Sequence, residues 1–509
     1  MKNILLILLL AFSVSAKSAT YYVVPPSHSY VGMAQGSDVA NGSFANPWAT
    51  WQKGFETAEA GDTVYFRGGV WFPTATTREA TVVFINPYGS EYGTPVPPYT
   101  GHDGTAENPI CMFAYPGETP ILDCRNVAVP SNYLTGIGLN RANYWNIRGL
   151  TITNVLQSQE STVFGFITGA CSNMTVEDLT VSHIGGKGIS NYNYFKHEYY
   201  PEQSTFSGDT TRYLNCDASY CMDSIGRNVG STDFGNWSDG FWINVQNTVS
   251  YVIIDGCRSW MNSDDGFDLP TTGVILMNYC LAFNNGHLEW GGGQGIRLDP
   301  SVNMNSMPWI FRNNISCYNS NGFNMAPRVS VERSAFLYNN LSINNEYGII
   351  VYGSDTITEG RGNRIFKNNI FYKNTTFDLL LNIPPVSYSN NYWGDNIELN
   401  EKDMTIPDHS PTVIITDADF QSLDTTQLSA ERQSDCSLPP ITFGRLAEGS
   451  DAIGAGIDVG MSAEPNMGID WDWLDNGSPP PTPSTGRKVT RGSNGRVMVS
   501  GNGHIIYTL

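Results

Sequence analysis

Three short stretches, Gly266-Phe267-Asp268-Leu269, Gly295-Ile296-Arg297-Leu298 and Gly322-Phe323-Asn324-Met325, share one pattern: a glycine, then an apolar, a variable and an apolar residue. From Gly240 onward, glycines followed by an apolar residue are separated by 26, 29, 27 and 26 residues. A fixed period in the twenties, with one short strand per repeat, is typical of a solenoid. The remaining steps of this kind begin at Gly136, Gly165, Gly188 and Gly348.

Side chains alternate between the two faces of a strand, so the first and third residues of each triplet are predicted to point inward and the middle residue outward. The leucine framework of leucine-rich repeats is missing, and the pattern favours a parallel β-helix. Asn-rich steps such as Asn284-Asn285-Gly286 and Asn344-Asn345 supply the turns. Asn tolerates the left-handed backbone conformation, and its amide can bond to the same amide one coil away. We therefore predict an all-β chain.

The rest of the chain divides around this solenoid. Residues 1–19 are a predicted signal peptide, with an apolar run at 4–12 and cleavage after Ala16 or Ala19. Residues 20–475 form the β-helix domain, with a capping helix at 52–59 and an irregular segment at 401–475 that returns along the outside. A Pro/Ser/Thr-rich linker covers 476–486, and a short basic tail covers 487–509.

The composition limits which binding partners and which cellular compartment we expect for the protein. The formal net charge of -20 argues against nucleic acid, although metal ions could still bridge the chain to an acidic polysaccharide. No second long apolar run follows the signal, so we expect no membrane span. We also expect a monomer that is secreted or held at the cell surface by its tail. Cys257 and Cys280 are predicted to point inward. A disulfide remains possible in two pairs, Cys216–Cys221 and Cys111–Cys124.

An acidic run, Asn262-Ser263-Asp264-Asp265-Gly266-Phe267-Asp268-Leu269, lies inside the repeat. Equivalent residues on successive coils are about 4.8 Å apart, so Asp239 should stack on Asp265, with Asp264 and Asp268 beside them. Four carboxylates this close resist joint ionisation, and a hard divalent cation resolves the conflict. Ca²⁺, which takes about 6–8 oxygen ligands, fits better than Mg²⁺. The alternative is a proton-sharing pair or a plain acidic surface.

Arg297 follows Asp268 in the predicted outward column and so faces the predicted metal. It could clamp a substrate carboxylate, accept a proton, or form an ion pair with a neighbouring acidic residue. Lys187 is expected on the surface, two coils or more upstream. The candidates for substrate binding are Trp242, Asn324 and Arg328.

Three motifs, at 236–241, 257–269 and 293–298, resemble the family-nine polysaccharide lyases. These are secreted, pectate-lyase-like enzymes on right-handed parallel β-helices, and the resemblance covers about residues 20–470. It implies Ca²⁺ held by the four aspartates, and a Brønsted base at Arg297, where the family has Lys. Related pectate lyases do use Arg. The implied reaction is β-elimination on a uronate polymer, with homogalacturonan as the first expectation.

Two other functions stay open. One is a β-helix glycoside hydrolase acting on pectin, in which Asp239, Asp264 and Asp265 serve as acid and base without a metal. The other is a non-catalytic glycan-binding or adhesin β-helix, in which calcium is structural and Arg297 is a surface cation. An unsaturated product that absorbs in the ultraviolet, and disappears with a chelator, distinguishes the lyase from both.

Overall fold

The computed structural model describes most of the chain between residues 18 and 471. The described ranges are 18–88, 99–193, 210–226, 234–245, 250–271, 273–287, 291–298, 308–325, 334–351, 364–381, 387–394, 396–399, 413–462 and 465–471. Most of the predicted signal peptide, the linker and the basic tail lie outside these ranges.

In the described part of the chain, three parallel sheets have 12, 11 and 11 strands, and each coil adds one strand to each sheet. Sheet 1 comprises, in spatial order, Thr20–Val23, Thr63–Phe66, Ile110–Ala114, Trp145–Arg148, Thr175–Glu177, Thr210–Leu214, Tyr251–Asp255, Val274–Asn278, Trp309–Arg312, Ala335–Tyr338, Arg364–Lys367 and Ser387–Ser389. Sheet 2 comprises Thr81–Ile85, Tyr133–Asn140, Thr162–Gly169, Lys187–Asn193, Phe241–Val245, Phe267–Asp268, Gln294–Arg297, Asn321–Met325, Tyr347–Val351, Phe377–Leu381 and Ile397–Leu399. Sheet 3 comprises Gly69–Trp71, Pro120–Asp123, Thr151–Val155, Thr180–Ile184, Asp217–Cys221, Arg258–Trp260, Leu281–Phe283, Ile315–Cys317, Leu341–Ile343, Ile370–Tyr372 and Tyr392–Trp393. This architecture confirms the predicted parallel β-helix.

The recurring glycines have a steric cause. A Cβ on any of the eight would lie 2.4–3.0 Å from a backbone carbonyl oxygen at the same position one coil further on. In seven cases that oxygen belongs to the next glycine of the column, and at Gly348 it belongs to Asp378. The coils therefore approach too closely here for any side chain, and the glycine period read from the sequence is the period of the coils.

The two asparagines of a pair have different roles at the turns. The first residue of a pair has positive φ, as at Asn284 (53°) and Asn344 (55°). The second stacks in a ladder, in which the Nδ2 of Asn285 donates to Asn319 Oδ1 at 2.9 Å. Further along, Asn374 donates through its backbone N and its Nδ2 to Asp378 Oδ1, at 3.0 and 2.7 Å. Both predicted uses of Asn are confirmed.

A short helix and a C-terminal segment cover the solenoid. The helix Trp51–Thr57 begins at Thr50, whose side chain accepts from Lys53 N, and it buries Trp51 and Phe55 in the core of the first coils. Most of residues 413–462 and 465–471 pack on the outer face of sheet 3, while Val459 packs on sheet 1. The segment contains 3-10 helices at Asp417–Asp419 and Thr425–Ser429. All nine cysteines are free thiols, and Cys257 and Cys280 are fully buried as predicted. Among the described residues, none of the helices has the length and apolarity to cross a bilayer.

Candidate active site

The register of sheet 2 brings the predicted site residues together. Phe241 pairs with Phe267, and Trp242 with Asp268, across two neighbouring strands. On the next strand Asp268 pairs with Arg297, which in turn pairs with Asn324. The predicted outward column is therefore real, and its members succeed one another at the strand spacing of about 4.8 Å.

Three of the four aspartates converge. Asp239, Asp265 and Asp268 each offer a carboxylate oxygen, and these oxygens all lie within 4.8 Å of one another. Asp264 lies beside them but directs its Oδ1 to the backbone N–H of Gly292, at 2.6 Å. The glycines at 291–293 allow this contact, since a Cβ on Gly292 would lie 3.0 Å from that same oxygen.

Burial makes Asp264, Asp265 and Asp268 costly to ionise. It raises the pKa of Asp265 to about 6, with Asp239 adding to the effect and Arg297 opposing it. Burial also raises the pKa of Asp264 and of Asp268 well above the ordinary value, and in both cases the neighbouring aspartates add to it. Asp268 as a whole is half-buried. Its Oδ1, however, is buried and has no hydrogen-bond partner among the described residues.

Two cations flank the cluster on opposite sides. The Lys187 ammonium pairs with Asp239, and Arg297 Nη1 lies 3.2 Å from Asp265 Oδ2. Four ionised aspartates carry −4 and the two cations carry +2, which leaves −2. A divalent cation would neutralise this charge and give the orphaned Asp268 oxygen a partner. Because calcium prefers several carboxylate oxygens in flexible geometry, the residues present fit it.

The expectation that Lys187 lies on the surface is wrong. The side chain is 6% exposed, and its ammonium lies between two indole rings, 5.1 Å from the centre of Trp237 and 4.8 Å from that of Trp242. Gly188 and Gly240 are 52 residues apart, about twice the usual period, which hides the fact that Lys187–Asn193 and Phe241–Val245 are adjacent strands. The sequence did indicate that Lys187 lies in the same column as Asp239, since Lys187 precedes Gly188 just as Asp239 precedes Gly240.

The other predicted substrate-binding residues have different outcomes. Trp242 lies beside Lys187 and stacks on Tyr192, with ring centres 5.6 Å apart. Asn324 Nδ2 donates to Gln294 Oε1 on the C-terminal side of Arg297. Arg328 lies outside the described residues.

The fold and its site define a parallel β-helix protein with a buried acidic cluster on the outer face of one sheet. The chain belongs to the Pel9A-like, right handed beta helix region family, which matches residues 29–369. This confirms the predicted family and the right-handed coil.

Individual relatives agree with this assignment. The chain is 23% identical over 443 residues to pectate lyase L of Dickeya chrysanthemi, an alignment that covers 86% of this chain and 85% of the relative. Its fold is similar to the crystal structure of pectate lyase Pel9A, with a TM-score of 0.58, 22% identity, and coverage of 89% and 96%. A rhamnogalacturonan lyase gives a TM-score of 0.59 at 21% identity, with coverage of 85% and 97%.

Proposed function

We propose that the protein is a calcium-dependent polysaccharide lyase that cleaves uronate-containing pectic polymers by β-elimination. The observation that carries the proposal is the convergence of Asp239, Asp265 and Asp268, with one buried oxygen unpartnered, directly beside Arg297. Relatives named as pectate lyases, which align with most of the chain, support the same reaction class.

The four aspartates would hold the cation, and three of them face the outer side of sheet 2 together. When bound, calcium supplies positive charge that binds a uronate carboxylate and makes the proton on the adjacent C5 more acidic. Lys187 keeps Asp239 in place from one side, while the backbone N–H of Gly292 holds Asp264 from the other. This arrangement holds the carboxylates rigid before any ligand arrives.

Arg297 is the proposed base. It takes the C5 proton, the electron pair of that C–H bond forms a C4–C5 double bond, and the C4–O glycosidic bond breaks. The leaving oxygen takes a proton from solvent. A guanidinium deprotonates only at very high pH, so the rate is expected to rise towards alkaline pH. Its carboxylate partner Asp265 is fully buried, which fixes the guanidinium beside the site.

The test is the absorbance of unsaturated product from polygalacturonate at alkaline pH, with calcium and then with a chelator. A general base contributes about 10²–10⁴-fold, so Arg297→Ala should lose activity by that factor. The matched control is Arg67→Ala, since Arg67 is buried and, like Arg297, paired with a carboxylate, Glu118, on the first coils of the solenoid. It should keep wild-type activity if it folds.

Arg297→Lys separates a base from a clamp. If Arg297 is the base, the lower pKa of Lys moves the rise in rate to lower pH. If Arg297 only clamps a substrate carboxylate, KM increases and the pH profile stays where it was. New reducing ends without ultraviolet absorbance would indicate the hydrolase instead. A folded, calcium-binding protein that gives no product from any uronan would refute the lyase.

We also propose that the protein acts outside the cell, where pectic polymers are found. The support is the residue pattern at 1–16, an apolar run followed by small residues. Deleting these residues should abolish export from the native host, as measured by immunoblotting of culture medium and cells.

A further inference from the structure

A cavity of about 200 Å³ opens beside the acidic cluster, on the side away from Arg297. Three aromatic side chains, Phe164, Trp237 and Trp242, form part of its wall, and both tryptophans are only half-buried. The residues that matter for its chemistry are Phe164, Lys187, Asp223, Trp237 and Trp242.

Its position along sheet 2 suits a polymer that already occupies the acidic cluster. Phe164 pairs with Lys187 on adjacent strands, and Lys187 occupies the position that Asp239 and Asp265 hold on the next two coils. The cavity therefore begins one coil, or about 4.8 Å, from the carboxylates. A polysaccharide lying along this column would place the ring next to the cluster in the cavity.

The chemistry of the cavity disfavours a negatively charged ring. Among the described residues that line it, Lys187 is the one cation, and its ammonium already pairs with Asp239 and lies between two indoles. Asp223, which is 1% exposed, adds a carboxylate to the same wall. A uronate here would bring a further negative charge beside this carboxylate.

The side of the acidic cluster towards Arg297 is different. The next coil carries the amide side chains of Asn321 and Asn324. Their Oδ1 atoms are buried without a hydrogen-bond partner among the described residues. Indole faces attract the C–H edges of a sugar ring through the negative charge of the π face. The acidic cluster therefore has amide groups on one side and half-buried aromatic side chains on the other.

We propose that the aromatic cavity is a substrate subsite for a pyranose ring without a free carboxylate, adjacent to the uronate held at the acidic cluster. This inference rests on the proposed function. Two polymers supply such a ring: a backbone in which uronate alternates with a neutral deoxy sugar, and homogalacturonan in which some uronates are methyl esters.

Calorimetry on the Arg297→Ala protein in calcium tests this without turnover. The probes are equal-length oligosaccharides of three kinds: fully de-esterified galacturonate, alternating rhamnose and galacturonate, and partly methyl-esterified galacturonate. At least one of the last two should bind ten-fold or more tightly than the first, and the comparison between them identifies the natural source of the neutral ring.

Trp237→Ala, added to that protein, should weaken binding of the preferred oligosaccharide about ten-fold and leave de-esterified galacturonate nearly unchanged. Trp237→Phe should keep most of the affinity and guards against a folding defect. The matched control is Trp260→Ala, since Trp260 is half-buried and stacked on Phe283 of sheet 3, whereas the acidic cluster lies on sheet 2. This variant should change neither the affinity for the preferred oligosaccharide nor that for de-esterified galacturonate.

The inference is overturned if de-esterified galacturonate binds as tightly as both other ligands, or if Trp237→Ala weakens all three equally. Those results leave the lyase reaction standing when wild-type protein still yields unsaturated product. Conversely, selective binding by a wild-type protein that gives no product from any of the three polymers would refute the lyase and retain the subsite.

Discussion

Calcium should stabilise this fold, because without the ion its acidic cluster opposes folding. Burial raises the pKa of Asp265 from 3.8 to about 6. A tenfold change in proton affinity is worth about 1.4 kcal/mol, so ionising this carboxyl in the metal-free fold costs about 3 kcal/mol. Since the folded state holds the proton more tightly than the unfolded state, metal-free protein loses this stability as the pH rises from about 4 to about 6.

Asp268→Asn should be stabilised by calcium less than wild type is. In chelator at pH 7, the variant should be more stable than wild type, since it removes a carboxyl whose raised pKa opposes folding at that pH. In calcium this advantage should shrink by up to the binding free energy of the ion, because one ligand is lost. At the dissociation constants of about 10⁻⁴–10⁻³ M typical of extracellular sites, 10 mM calcium adds about 1.4–2.7 kcal/mol to wild type.

The assay is guanidinium unfolding followed by tryptophan fluorescence, with wild type and Asp268→Asn compared in chelator and in calcium. Asp451→Asn, an exposed site on the C-terminal segment, controls for the loss of one negative charge. Equal midpoints for wild type in both conditions, or an Asp268→Asn protein that is less stable than wild type in both, would refute the electrostatic reasoning.

Two further predictions concern the repeat itself, and each is read from the midpoint of guanidinium unfolding. Gly295→Ala places a Cβ 2.0 Å from Ser316 Oγ and 2.9 Å from a carbonyl oxygen of the next coil, so overpacking should destabilise the fold by about 1–3 kcal/mol or more. An unchanged midpoint would show that the coils can separate locally. Asn319→Ala leaves the backbone N and the Nδ2 of Asn285 without their acceptor, which should cost about 2–5 kcal/mol. The control Asn41→Ala, at an exposed site, should leave the midpoint unchanged. Equal midpoints for Asn319→Ala and Asn41→Ala would contradict a stabilising contribution from the asparagine ladder.

The fold was predictable because steric contact fixes residue identity at one position per coil. Counting from glycine to glycine aligns Asp239 with Asp265, and Asp268 with Arg297, from the sequence alone. The position of Lys187 escaped this count because Gly188 and Gly240 are 52 residues apart, although their strands are neighbours in space. The aromatic cavity was equally hidden, since the position three residues before the glycine varies in type, from Trp237 on one coil to Ser263 on the next.

Asp378 ends two columns at once, since it follows Gly348 in the glycine column and accepts the last amide of the asparagine ladder. A repeat that simply stopped would offer the same hydrogen bonds to another molecule, and identical solenoids could then join end to end into fibres. A carboxylate breaks this self-complementarity. It has acceptors and no donor, so it leaves the amide oxygen of an incoming asparagine without a partner. One residue thus limits the length of the ladder.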